Sequence, residues 1–170
     1  FEVTLSGVSE QTISLDIAVG GAATDGAAEG SDYTAPTDTT VTFAPGDTAL
    51  TFDLVVLADT INEADESVVV TITNPAATSI TITEDVATGV ITDNDDVTLT
   101  VSSAQLAEGD ADTTTIALDV TLSGESEQTI TVDYAATAVT ATAGTDYVAV
   151  ASTTLALAPG ETAATIDVTV

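Results

Sequence analysis

Two acidic segments carry the side chains in this chain that are able to do chemistry. The first is Asp59-Thr-Ile-Asn-Glu-Ala-Asp-Glu66, which places Asp59, Glu63 and Glu66 on a turn just after a strand-like run. The second is Asp93-Asn94-Asp95-Asp96, where Asp93 and Asp95 stand two apart at the end of another strand-like run. Extended backbone sends residues two apart to the same side. If the two segments meet at one pole of a domain, the carboxylates of Asp59, Glu63, Glu66, Asp93 and Asp95 converge. Such a cluster is repulsive unless a cation joins it.

No cation inside the chain is available for that role. The 170 residues include 28 Asp and Glu and no Lys, Arg or His, for a formal net charge of −28. Each carboxylate must be solvated, hydrogen-bonded or paired with an ion from outside. Phosphate recognition needs Lys and Arg, so the composition excludes nucleic acid as a natural partner and argues against anionic membrane surfaces. With no Cys and no His, thiolate and imidazole metal sites are excluded, and so is the usual general base. Oxygen donors alone suit a hard cation, and calcium takes about six to eight of them.

Catalysis is not expected. A carboxylate pair is able to serve glycoside hydrolysis. That chemistry needs an aromatic-lined cleft and groups that stabilise developing charge, whereas aromatics make up 4% of this chain and Trp is absent.

The elements that must position these segments read as strands. In residues 12–19, Ile13, Leu15, Ile17 and Val19 share one face while Ser14, Asp16 and Ala18 share the other. In residues 48–56, Leu50, Phe52, Leu54 and Val56 alternate with Thr51 and Asp53. This period of two predicts strands with one buried and one wet face. Pro45-Gly46, Pro159-Gly160, Asn74-Pro75 and Ser6-Gly7 mark turns between the runs. No segment has helical periodicity, and no apolar run reaches the roughly 18 residues of a membrane span. An apolar fraction of 44%, rich in Val, Ile, Leu and Ala, is enough for an aliphatic core. The expected fold class is all-β, with antiparallel immunoglobulin-like β-sandwich modules.

The chain also repeats. FEVTLSG at residues 1–7 returns as LDVTLSG at 118–124, and SEQTISLDI at 9–17 returns as SEQTITVDY at 126–134. Residues 31–56 return as residues 145–170, from Ser31-Asp-Tyr33 to Val56 and from Thr145-Asp-Tyr147 to Val170. A period of about 115 residues is a whole β-domain rather than a solenoid unit. The expected division is residues 1–96 and 97–170. The first module lacks a match to residues 97–117, its opening strands, and the second lacks a match to residues 57–96, its closing strands. The chain has no initiator Met and reads as a piece of a longer secreted protein.

Several motifs coincide in order and spacing: Gly30-Ser-Asp-Tyr33 and Gly144-Thr-Asp-Tyr147, Ala44-Pro-Gly-Asp-Thr48 and Ala158-Pro-Gly-Glu-Thr162, the acidic segment from Asp59 to Glu66, and Gly89-Val-Ile-Thr-Asp-Asn-Asp95. Together they resemble the Calx-beta domain, over essentially the whole chain as two partial modules. The resemblance implies a β-sandwich with calcium held in loops at one end. It implies Asp59, Glu63 and Glu66 as carboxylate ligands, the Ile61 carbonyl as a further donor, and Asp93, Asn94, Asp95 and Asp96 from the closing motif. Glu108, in Leu-Ala-Glu-Gly-Asp of the second copy, is implied as the opening-motif ligand. Ala58 and Ala138 stand where calcium-sensing members have Asp, and Thr24 or Asp25 lies near the equivalent loop of the first module, so fewer or weaker ions are expected. Asp32, Tyr33, Asp146 and Tyr147 are expected to be structural, the Asp capping a turn and the Tyr packing at the sandwich edge.

The functional expectation is a non-catalytic, extracellular, calcium-binding tandem module of a surface adhesin or fibre, in which calcium stiffens the joint between modules and the neighbours are copies of the same unit. One alternative is a metal-independent filament subunit completed by strand exchange. A second is a calcium-dependent carbohydrate-binding module, although no exposed aromatic or amide-rich loop accompanies the acidic segments.

Overall fold

The computed structural model describes residues 1–21, 26–73, 80–107, 109–110 and 112–170. The described residues form thirteen strands and no helix, and every pairing between strands is antiparallel. The fold is all-β. The turns read at Asn74-Pro75, and the residues Thr24, Asp25 and Glu108, lie outside the described residues.

Two compact units are present. The first comprises Phe1–Asp59 and Asp65–Asp93, the second Thr60–Ala64 and Asn94–Val170. The break after Asp93 falls inside the acidic tetrapeptide. The segment Thr60–Ala64 groups with the second unit although both of its flanks belong to the first.

In the first unit, β2 (Ile13–Gly21) is the central strand. It pairs with β4 (Thr40–Phe43) on one side and β7 (Glu66–Thr73) on the other, and β7 pairs with β8 (Val86–Ile91). The alternation read from the sequence is present: Ile13, Leu15 and Ile17 are buried and Asp16 and Ala18 are exposed. With Val41, Phe43 and Val70 they form the core, and Phe1, Val3, Leu5, Leu50 and Phe52, in and beside β1 and β5, pack against it.

The other pairings of this unit are short: β1 (Glu2–Thr4) with β5 (Ala49–Thr51), and β3 (Tyr33–Thr34) with β6 (Val55–Val56). The single strand expected over residues 48–56 is therefore two. Its first part serves β1 and its second part serves β3, and the ladder lapses between them. Leu50, Phe52 and Leu54 keep the expected alternation as half-buried residues, whereas Val56 is 53% exposed. Phe52 stacks on Phe1 with ring centroids 5.4 Å apart.

The second unit repeats these registers. β10 (Thr115–Leu122) pairs with β13 (Ala163–Thr169) so that Thr121 faces Ala163, as Thr4 faces Ala49 in the first unit. Its other edge carries β9 (Leu99–Val101). β11 (Ile130–Ala136) pairs with β12 (Val150–Leu157), as β2 pairs with β4. Leu157 occupies the place of Phe43, and both are fully buried. β11 has no second partner among the described strands, and Ile130, Val132 and Tyr134 are half-buried where Ile13, Leu15 and Ile17 are buried.

The two Pro-Gly turns have the same construction. Gly46 and Gly160 adopt φ of 98° and 78°, a region that favours glycine. Each turn is closed by an acid that accepts a backbone N–H: Asp47 from Ala44 at 2.9 Å and Glu161 from Ala158 at 2.8 Å.

Phe43→Ala removes the largest fully buried side chain and should destabilise the first unit by about 3–5 kcal/mol. Urea unfolding followed by circular dichroism checks this. A change below about 1 kcal/mol would contradict the core assignment.

Candidate functional site

Within the first unit the acidic loop and the closing motif come together. Glu66 opens β7 and pairs with Ile91 at the end of β8. Just beyond that pair, the Asp93 N–H donates to the Asp65 carboxylate, Oδ1, at 3.0 Å. The last residues of the acidic loop and the first residue of the acidic tetrapeptide are thus held side by side. Glu66 and Asp93 are half-buried, and Asp59 is exposed.

Within the second unit, Ile61, Asn62 and Glu63 are half-buried and the segment is tied down at Asn62. Asn62 forms a bridge with Ser126. Its N–H donates to the Glu125 carbonyl at 3.1 Å, and its carbonyl accepts from the Glu127 N–H at 3.0 Å. The buried Ser126 hydroxyl donates to Asn62 Oδ1 at 2.9 Å and accepts from the Gln128 N–H at 3.0 Å. Gln128 Nε2 donates to the Glu63 carbonyl at 2.8 Å. Asn94 and Asp96 are exposed and Asp95 is half-buried, so the alternation seen at Asp93 continues through the tetrapeptide.

Three participants escaped the sequence reading. In the sequence nothing separates Asp65 from its neighbour Glu66, yet its carboxylate links the two acidic segments of the first unit. Ser126 and Gln128 lie in the repeat motif SEQT and carry no chemical signature. Only their distance in sequence from Asn62 and Glu63 concealed them.

The loops expected to be structural are so. Asp32 Oδ2 accepts the Ala28 N–H, and Asp146 Oδ2 accepts the Thr142 N–H at 2.7 Å. The Gly30 and Gly144 amides return to the carbonyls of Tyr33 and Tyr147. Tyr33 is buried with Ala27 and Val68.

All of the donors that the acidic segments offer are oxygens, the set a hard cation requires. Among the described residues no group of three or more acidic side chains is placed closely enough to hold a metal ion.

These features define a class: a tandem all-β protein of antiparallel modules with acidic, oxygen-only loops at the strand ends. The chain belongs to the Calx-beta domain family, whose sequence profile matches residues 1–95 and again residues 92–170. Two solved structures are similar. The crystal structure of calcium binding domain CBD12 of CALX1.1 is 22% identical over 98% of this chain and 67% of that one, with a TM-score of 0.49. The crystal structure of CBD12 from CALX1.2 is 25% identical over 100% of this chain and 68% of that one, with a TM-score of 0.47. No curated protein matches the chain.

Ser126→Ala deletes a buried hydroxyl and strands the partners it satisfies. It should destabilise the second unit by about 1–3 kcal/mol. Asp65→Ala, at an exposed position, should cost about 0.5–1.5 kcal/mol, and Asp65→Asn, which keeps an acceptor, should cost less. Chemical denaturation of the three variants checks the order.

Proposed function

We propose that this chain is a non-catalytic, extracellular calcium-binding tandem module of a surface adhesin or fibre. The observation that carries the reading is the Asp65–Asp93 hydrogen bond, which keeps two acidic segments adjacent in a chain that has no Lys, Arg or His to neutralise them. Family membership and the all-oxygen donor set support it.

Asp59, Glu63, Glu66, Asp93, Asp95 and Asp96 are the carboxylates that would hold the ion, with the Ile61 carbonyl and the Asn94 side chain as neutral donors. Glu108 belongs to the same set by motif and lies outside the described residues. Bound calcium supplies positive charge and fixed coordination by oxygen. An ion taken up by these acidic segments offsets their negative charge. Their mutual repulsion falls, and the hydrogen bonds that hold Asn62 and Asp65 fix the backbone on which they sit. A chain of such modules is then a stiff spacer with calcium and a flexible one without it. Copies of the same module are the expected neighbours.

Thermal unfolding in calcium and in chelator, at one high sodium concentration, tests this reading. High sodium removes general screening as an explanation. Free calcium at one hundred times Kd should add about 2.7 kcal/mol to stability. The gain should vanish when Asp93→Asn and Asp95→Asn are combined. Equal melting temperatures in calcium and chelator would overturn the calcium role.

A further inference from the structure

The β2–β4 pair and its copy β11–β12 each end in an outer strand. β4 closes the order β4-β2-β7-β8, and β12 pairs with β11 alone. β7 and β8 are described in the first unit and β9 in the second, and none of them pairs with β4 or β12. The segments that one unit has and the other lacks therefore leave this edge uncovered in both.

The two edges differ in sequence. Residues 34–46 read Thr-Ala-Pro-Thr-Asp-Thr-Thr-Val-Thr-Phe-Ala-Pro-Gly, and residues 148–160 read Val-Ala-Val-Ala-Ser-Thr-Thr-Leu-Ala-Leu-Ala-Pro-Gly. Val150 and Ser152 stand where the first unit has Pro36 and Asp38. Proline and charge are the usual guards of an exposed strand edge, and β12 has neither. β4 begins only at Thr40 and has 4 residues, whereas β12 begins at Val150 and has 8. A register shift between Tyr134 and Ala136 sets Val150 apart, and the β11–β12 ladder is regular from Thr153 to Leu157.

The backbone of that regular stretch has a known direction. In the first unit Ile17 N–H donates to the Thr39 carbonyl at 2.7 Å, one step beyond the Asp16↔Thr40 pair. Thr39, Val41 and Phe43 therefore turn their backbone groups to β2, and Thr40 and Thr42 turn theirs outwards. Ile130 faces Leu157 as Ile13 faces Phe43, so the outward residues of β12 are Thr154 and Ala156.

We propose that β12 is a dimerisation edge, at which two copies of this chain pair antiparallel about a two-fold axis through Leu155. Thr154 of one copy then faces Ala156 of the other, each such pair exchanges both main-chain bonds, and Leu155 faces itself. Charge selects a second copy as the occupant. From Val148 to Gly160 there is no acidic residue, so a basic strand finds no carboxylate on β12, and two copies of β12 place no like charges opposite one another. Asp133, across the ladder on β11, accepts from the Thr154 hydroxyl. The first unit offers no such edge, because Asp38 and Pro36 guard it.

The test follows the whole chain by sedimentation equilibrium and by amide hydrogen exchange in NMR. Chelator is present throughout, so calcium at the acidic segments plays no part. At about 1 M sodium, where charges are screened beyond about 3 Å, the chain should form a dimer. Exchange at the Thr154 and Ala156 amides should slow at least about tenfold as protein concentration rises through the dissociation constant. At about 0.1 M sodium the dimer should weaken at least about tenfold, because each copy carries its full negative charge into the pair. Val150→Pro with Ser152→Asp gives β12 the residues of the first unit and should leave a monomer. Ala156→Glu, at an exposed position, should do the same, which keeps the test open should the double variant unfold. A chain that stays monomeric at high sodium, or a dimer that survives both changes, would overturn the proposal. So would a dimer whose protection falls on β1 or β11 instead. Uptake of a synthetic peptide of residues 150–157 by a chain that does not self-associate would assign the edge to a foreign strand and overturn it as well.

Discussion

A chain of carboxylates with no base must find all of its donors among N–H and O–H groups, and the described structure is organised by that constraint. Asp32, Asp47, Asp146 and Glu161 each close a turn by accepting a backbone amide. Asp65 accepts the Asp93 amide. On the strands, Asp16 and Asp133 accept from the hydroxyls of Thr40 and Thr154 across β2–β4 and β11–β12. Threonine is therefore more than a strand former here. It supplies donors that lysine and arginine supply elsewhere, and it does so without bringing positive charge. Hydrogen bonds to ionised acceptors are stronger than neutral ones, so short polar side chains hold loops that ion pairs would otherwise hold.

The same arrangement is used twice. Turn, cap and ladder register recur between β1–β5 and β10–β13 and between β2–β4 and β11–β12. What differs is cover. β7 and β8 lie over one side of the first unit and bury Ile17, Tyr33 and Val68. Tyr147, in the position of Tyr33, is half-buried. Equivalent residues thus have unequal burial.

The sequence made the strands legible because alternation is local: β2 could be read from four aliphatic residues. It also made the module repeat legible, and with it the turn roles of Asp32 and Asp146. The interruption between β5 and β6 was not readable, because it depends on which partner each half of residues 48–56 meets. The grouping of Thr60–Ala64 with the second unit was not readable either, because it rests on Asn62, whose partner Ser126 is remote in sequence. The acidic segments announced themselves by composition, but Asp65 could not be separated from Glu66 until Asp93 was placed beside it.

The order β9–β10–β13 carries a consequence for a chain under tension. Both outer strands run antiparallel to β10, so they are parallel to each other. A pull applied through the start of β9 and the end of β13 acts along the strand axes. It loads the seven register pairs from Thr115↔Thr169 to Thr121↔Ala163 together, in shear, rather than peeling them one by one. Rupture under such a load is governed by the unfolding barrier rather than by equilibrium stability. The same load passes in series through the three β9–β10 pairs, so that short ladder, and not the aliphatic core or the long β10–β13 ladder, sets the force at which this path yields.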